Sequence, residues 1–223
     1  MSASAVSSQL PTRITAVRHG ETAWNAITRL QGQLDIDLND LGRWQAERAG
    51  AALADSALQV VYSSDLCRAH NTAQAIARHS GIAPSAIRIH QGLRERSFGH
   101  FEGLTYAQVG ELHPDDALRW KQRDADWAPP GGESQTVVFA RVHAALDAIA
   151  AQHPGEHIAI VTHGGVLDVF YRLATGQGIS AARTWDLGNC AINRLLWTPQ
   201  ALTLVGWADT GHLDQGPRDE FGA

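Results

Sequence analysis

Thr15-Ala16-Val17-Arg18-His19-Gly20-Glu21-Thr22 is the stretch whose reading decides the fold. Ile14, Ala16 and Val17 make a short apolar run suited to a buried strand. The run stops at Arg18-His19-Gly20, and Glu21 to Thr28 reads as the opening turns of a helix. A strand end followed by a helix start is where an open α/β sheet places ligands. The unpaired N–H groups of a helix N-terminus attract an anion. Arg18 adds a planar fork of donors matched to pairs of phosphate oxygens. His19 stands beside them, where a neutral imidazole can act as a nucleophile.

Arg-His-Gly alone is a common tripeptide, and a single histidine at a strand end is more often structural. A second copy of the arrangement changes the balance. His157-Ile158-Ala159-Ile160-Val161 is another apolar strand, ending in Thr162-His163-Gly164-Gly165 before a helix pattern from Val166 to Leu173. If the two strands are neighbours in one sheet, both histidines face one crevice. A third unit lies between them: a strand over Gln59 to Ser63, then a helix from Asp65 to His79 with Asp65 as N-cap and Arg68 in the first turn. One crevice then gathers Arg18, His19, Arg68 and His163, two fixed cations and two imidazoles, which suits a dianionic phosphoryl group.

Taken in order, these pieces resemble the histidine phosphatase superfamily, also called the phosphoglycerate mutase-like family. The resemblance rests on Arg18-His19-Gly20-Glu21-Thr22 with Trp24-Asn25, Leu30-Gln31-Gly32, and Asp37 to Gly42. It continues through Ser63 to Ala69 with Thr72-Ala73, Leu93-Arg94-Glu95, and Phe98-Gly99-His100-Phe101-Glu102-Gly103. Gly132-Glu133-Ser134 and Thr162 to Gly165 complete it, so that it covers about residues 13–208. It implies a three-layer α/β/α domain with a mostly parallel central sheet. It also implies a phosphohistidine on His19, with Arg18, Arg68 and His163 holding the non-bridging oxygens and His163 most useful when protonated. Leu93-Arg94-Glu95-Arg96 on its own reads as an exposed ion pair; the resemblance makes Glu95 the general acid. Asn25 and the Gly164 N–H are candidate neutral donors, and Thr22, Gln31 and Gly32 candidate substrate contacts. No metal is expected, because the cations already neutralise the phosphoryl group. The region at about 98–132, with Trp120, Lys121, Arg123 and Trp127, resembles the family's lid insertion.

Bulk composition sets the outer bounds. The chain has 223 residues, enough for one α/β domain, with 44% hydrophobic and 18% charged residues. A net charge of −5 gives no global basic field for nucleic acid or an anionic membrane. No apolar run reaches the ~20 residues of a membrane span. Residues 1–12 read as a disordered leader rather than a signal peptide, and the chain from Asp209 onward as a loose polar tail. Two cysteines, Cys67 and Cys190, are too few for a disulfide framework, so reduced thiols in a cytoplasmic protein are expected. Monomer and homodimer both stay open. Asp35, Asp37 and Asp40 read as turn chemistry with a cap at Asn39 or Asp40, rather than a metal site. Ala191–Trp197 and Ala201–Gly206 read as a hairpin of edge strands.

Within the family, the residues favour a phosphomonoesterase for a small phosphorylated metabolite. The alternative is a phosphoglycerate mutase dependent on 2,3-bisphosphoglycerate. Mutases usually carry a lysine after the Glu-Arg-x-Tyr-Gly motif and an arginine pair in the insertion. Here the aligned position holds Tyr106, with Arg119, Lys121 and Arg123 following. A non-catalytic phosphate-binding module would have lost His19 or Arg68, and both are present.

Overall fold

The computed structural model describes residues 10–214. A six-stranded sheet forms its centre: β1 (Thr12–Arg18), β2 (Val60–Ser63), β3 (Arg88–Ile89), β4 (His157–Thr162), β5 (Ile192–Thr198) and β6 (Ala201–Asp209), in the order β3-β2-β4-β1-β5-β6. The first four run parallel, and β5 and β6 join antiparallel. The expected hairpin is present, but β5 is not an edge strand: it pairs with β1 on its other side. The edges are β3 and β6.

Alternation along the strands divides the core into two layers. Ile14, Ala16, Val60, Tyr62, Ile158 and Ile160 face α6 (Gln135–Ala150) and α7 (Gly164–Thr175). Val17, Val61, Ala159 and Val161 face the opposite way, toward α3 (Cys67–His79) and Leu53 of α2 (Asp40–Leu53). Strands covered on both faces must be apolar on both, which is why β4 reads as a continuous run. Ile158 and Ile160 have no exposed surface, and full burial of such a side chain contributes about 2 kcal/mol.

β1 and β4 are direct neighbours, with Arg18 opposite Thr162. The His19 N–H extends the ladder by donating to the Thr162 carbonyl at 2.9 Å. Both histidines therefore leave the sheet at the same end, side by side.

Several boundaries differ from expectation. The helix after β1 is one turn, α1 (Ala23–Ala26), and the chain leaves it at Thr28 with a φ of 53°. Asp65 is not the cap of α3; Leu66 holds that position with no side-chain bond. Asp35 instead reaches across to accept from the Cys67 N–H at 2.7 Å, while Asp65 takes the Arg94 guanidinium through both oxygens. Asn39 caps α2. The sheet begins at Thr12, inside the supposed leader, and residues 209–214, though largely exposed, are held at several points. Asp209 pairs with Arg194 at 2.8 Å, Arg48 Nε donates to the His212 carbonyl, and Leu213 lies against the Leu38–Ala46–Ala49 cluster. The remainder of both termini lies outside the described residues. Among those residues, no helix is long and apolar enough to cross a membrane.

Candidate active site

Beyond the ends of β1 and β4 lies a cavity of about 750 Å³. Of the two histidines that the parallel register delivers, His19 lines it, while His163 lies fully buried directly behind His19. Their ring centroids are 5.2 Å apart with planes tilted by 58°, and both residues are buried. His19 Nδ1 donates to the Gly20 carbonyl at 2.7 Å, which fixes the tautomer and leaves the lone pair on Nε2. His163 occupies the N-cap position of α7, and both of its ring nitrogens are buried without a partner. Buried polar atoms are ordinarily satisfied, so two orphans on one ring mark a place made for something else.

Arg68 stands on the first turn of α3 with 1% exposure. Its two terminal nitrogens donate to the Leu34 and Gly32 carbonyls, each at 2.7 Å. Arg18 donates to the Leu187 carbonyl. In both residues Nε is buried and unpartnered. Anchored on one edge, each guanidinium keeps donors for a ligand. Burial, and then Arg68 and Arg18, push His19 well below the ordinary histidine value. Burial and the same two arginines, with His19 itself, do the same to His163. A neutral His19 is what a nucleophile needs. His163, expected to be most useful protonated, is also held toward the neutral form, first by burial and then by the two fixed cations beside it; a bound dianion would favour the protonated form.

Glu95 is not part of an ion pair with its sequence neighbours. Arg94 is committed to Asp65, and Arg96 Nε donates to the Glu133 carbonyl at 2.8 Å. The Glu95 carboxylate instead accepts from the Gly165 N–H, with both oxygens at 3.1 Å, and from the Arg96 N–H at 2.7 Å. This places it over the N-terminus of α7, in the lining of the same cavity as Arg18, His19 and Arg68. A Cβ on Gly165 would lie 2.2 Å from Glu95 Oε1, so that closeness requires glycine.

The remaining candidates separate. Asn25 lines the cavity; its Oδ1 accepts from Thr22 N–H and Asn189 Nδ2, which turns its own NH₂ group outward as a donor. Gln31, Gly32 and Gly164 also line it. Gln31 Oε1 is buried without a partner, whereas the Gly32 carbonyl is committed to Arg68. Thr22 does not reach the cavity: it is fully buried, and its hydroxyl caps α1 in a reciprocal box with Asn25. Gly20 is held against α2, where a Cβ would meet the Gly42 carbonyl oxygen at 2.3 Å, and its N–H donates to Thr72 of α3 at 3.0 Å. Cys67 is no rival nucleophile, because burial and Asp35 push its thiol up to about 12. Sequence reasoning missed Asn189, whose Nδ2 donates to the His19 carbonyl at 2.9 Å, and Arg183 at the cavity rim. Both lie in an irregular stretch with no periodic pattern.

The segment over the cavity holds two short helices, α4 (Tyr106–Leu112) and α5 (Pro114–Lys121), with their own apolar cluster of Leu30, Phe101, Val109 and Trp127. Phe98, Tyr106, Trp120 and Arg123 from this segment line the cavity. Arg119 instead lies over Trp127 and pairs with Asp124 at 3.7 Å, and Lys121 is exposed.

The sequence model of the histidine phosphatase superfamily (branch 1) matches residues 14–210. A metal-independent phosphoserine phosphatase of Arabidopsis thaliana is 40% identical over 205 residues, 91% of this chain and 83% of the relative. A glucosyl-3-phosphoglycerate phosphatase of Mycobacterium tuberculosis is 37% identical over 163 residues, 70% of this chain and 71% of the relative. Among solved structures, phosphoserine phosphatase of Entamoeba histolytica in complex with 3-phosphoglyceric acid superposes with a TM-score of 0.79 at 27% identity. That superposition covers 91% of this chain and 99% of the other. Together with the paired His-Gly strand ends, these matches make the chain a member of the histidine phosphatase superfamily, branch 1.

Proposed function

We propose that this protein is a metal-independent phosphomonoesterase that hydrolyses a small phosphorylated metabolite through phosphohistidine at position 19. The observation that carries the reading is the floor of the cavity. A neutral imidazole with a fixed tautomer faces a second imidazole 5.2 Å away, between two anchored guanidiniums. His19 Nε2 attacks phosphorus in line with the departing oxygen. Arg18, Arg68 and His163 hold the three non-bridging oxygens, and the Asn25 amide and Gly164 N–H add neutral donors. Glu95 gives a proton to the leaving alkoxide. As carboxylate it then takes one from the water that attacks phosphohistidine, releasing phosphate and restoring the ring.

The cavity lies in the size range of small-molecule sites. Phosphoserine and 3-phosphoglycerate fit it in size and charge, and relatives are named for acting on, or seen holding, such compounds. Metal independence draws support from a relative named for it and from a floor whose charge is supplied by arginine. Two free thiols are compatible with a reducing, cytoplasmic compartment.

The test is hydrolysis of p-nitrophenyl phosphate in excess EDTA, alongside 3-phosphoglycerate with and without 2,3-bisphosphoglycerate. Hydrolysis unaffected by EDTA is the expected outcome. Isomerisation of 3-phosphoglycerate that depends on the bisphosphate would replace this reading with that of a mutase.

A further inference from the structure

Glu95 works from a segment without regular structure. Residues 94–98 belong to no helix or strand. Among the described residues, no backbone N–H donates to the carbonyls of Gly92, Leu93, Arg94 or Glu95. Side chains hold all four instead. Thr162, at the end of β4, donates to the Leu93 carbonyl at 2.8 Å, and Gln33 Nε2 to the Glu95 carbonyl at 3.2 Å. The other bonds come from Arg141 on α6. Its Nη1 donates to the Gly92 and Arg94 carbonyls at 2.9 and 3.0 Å, and its Nη2 reaches the Glu95 carbonyl at 3.5 Å. Nε and Nη2 also donate to the two carboxylate oxygens of Glu133, each at 2.9 Å. All five donors of the guanidinium are thereby placed. Glu133 closes the ring: its Oε2 accepts from the Ser97 N–H at 2.9 Å, and its own N–H donates to the Ser97 carbonyl at 2.9 Å.

An ion pair kept for stability alone needs only two charges in contact. Here the cation is turned toward three carbonyls around Glu95, and its carboxylate partner toward the N–H two residues beyond. Neither Arg141 nor Glu133 lines the cavity; both border a separate groove with Gly92 and Arg94. Arg141 stands among the buried Val138, Val142 and Ala145 of α6, so it ties the segment to a helix fixed in the core. Of the two N–H groups that the Glu95 carboxylate accepts from, Arg96 moves with the segment itself. Gly165 does not, and that contact therefore depends on where the backbone of Glu95 is held. A displacement of about 1 Å at such a group can lower a rate 10²-fold.

We propose that Arg141, locked by Glu133, is a positioning residue for proton transfer: it fixes the backbone around Glu95 so that the carboxylate meets the N-terminus of α7. The inference rests on the acid role read for Glu95, and adds what keeps that group in place. The probes are glycerol 3-phosphate, whose alkoxide needs a proton, and p-nitrophenyl phosphate, whose leaving group scarcely does. Arg141→Met is expected to lower kcat/KM for the first relative to the second roughly 10- to 100-fold. Both substrates are read on one preparation, so a smaller folded fraction cannot mimic the change in ratio. In the Glu95→Gln background, Arg141→Met should change the glycerol 3-phosphate value little further, because both substitutions act through one carboxyl. Equal losses on the two substrates, or full additivity with Glu95→Gln, would overturn the positioning role. If Glu95→Gln itself showed no dependence on leaving group, the acid reading would fail, and amide exchange would still decide the placement. The Gly165 N–H lies in the first turn of α7, where the Glu95 carboxylate is its acceptor. Arg141→Met should speed its exchange as Glu95→Ala does, while the Leu167 N–H, bonded to the His163 carbonyl, stays protected. Unchanged exchange at Gly165 in Arg141→Met would refute the proposal whatever the activity.

Discussion

At the floor of the cavity every cation is tied to backbone: Arg68 to the Leu34 and Gly32 carbonyls, Arg18 to Leu187. The nucleophile's tautomer is fixed by the next carbonyl in the chain. Away from the floor, Arg183 and Arg123 have no ion-pair partner among the described residues, and Phe98, Tyr106 and Trp120 line the same cavity. The floor is built from strand ends and helix starts, whose positions the sheet register dictates. The rim is built from irregular segments, which can be exchanged without disturbing that register. A fold of this kind can keep one chemistry while changing what it accepts.

The sharpest way to break the comparison is at Glu95, which belongs to the floor by geometry and to a loop by sequence. Glu95→Gln should slow hydrolysis of alkyl phosphates by roughly 10²- to 10⁴-fold. Hydrolysis of p-nitrophenyl phosphate, whose leaving group scarcely needs a proton, should fall far less. Gly165→Ala should show the same dependence on leaving group with a smaller loss, because its Cβ would displace the carboxylate. Equal losses across leaving groups would remove Glu95 from the acid role.

The second effect separates the floor electrostatically. His19 and His163 have folded values depressed below the ordinary figure of about 6.5 that the unfolded chain would show. Below that pH the unfolded chain takes up protons that the folded chain does not. Stability should therefore be undiminished above about 6.5 and fall as pH drops toward the depressed values. Tm measured from pH 7.5 to 5 should decline, and His163→Asn should flatten the decline. Vanadate or phosphate should also flatten it, since a bound dianion favours a protonated His163. An unchanged slope in the variant would show that His163 is not held neutral.

Thr22→Ala gives the smallest effect. Loss of the α1 cap should cost about 1 kcal/mol, or roughly 2–4 °C in Tm for a chain of this size. The apparent KM for any phosphate ester should be unchanged; a large rise would restore Thr22 to the substrate contacts.

How much of this was legible in the sequence follows the same division. β1, β2 and β4 were readable because apolar runs end abruptly in polar or glycine signals. Arg68 was readable because a first helical turn must lie at the sheet edge. Asp65 was misread as a cap because its partner, Arg94, is 29 residues away and no local rule connects them. The interior place of β5 was missed because a hairpin pattern does not say which strand meets the rest of the sheet. Asn189 and Arg183 were invisible for another reason. Arg183 lies between the carbonyls that Arg172 holds and Trp185 stacked on Tyr171, and Asn189 meets the His19 carbonyl from 170 residues away, contacts with no periodic trace. The packed end at Leu213 was hidden in the same way, since its apolar partners lie in α2.

Trapping the covalent intermediate tests the central claim most directly. Rapid mixing with a phosphorylated substrate, quenching in alkali and peptide mass spectrometry should locate one base-stable phosphoryl group, on His19, and none in His19→Ala. A phosphoryl group on another side chain, or steady hydrolysis by His19→Ala, would contradict the account.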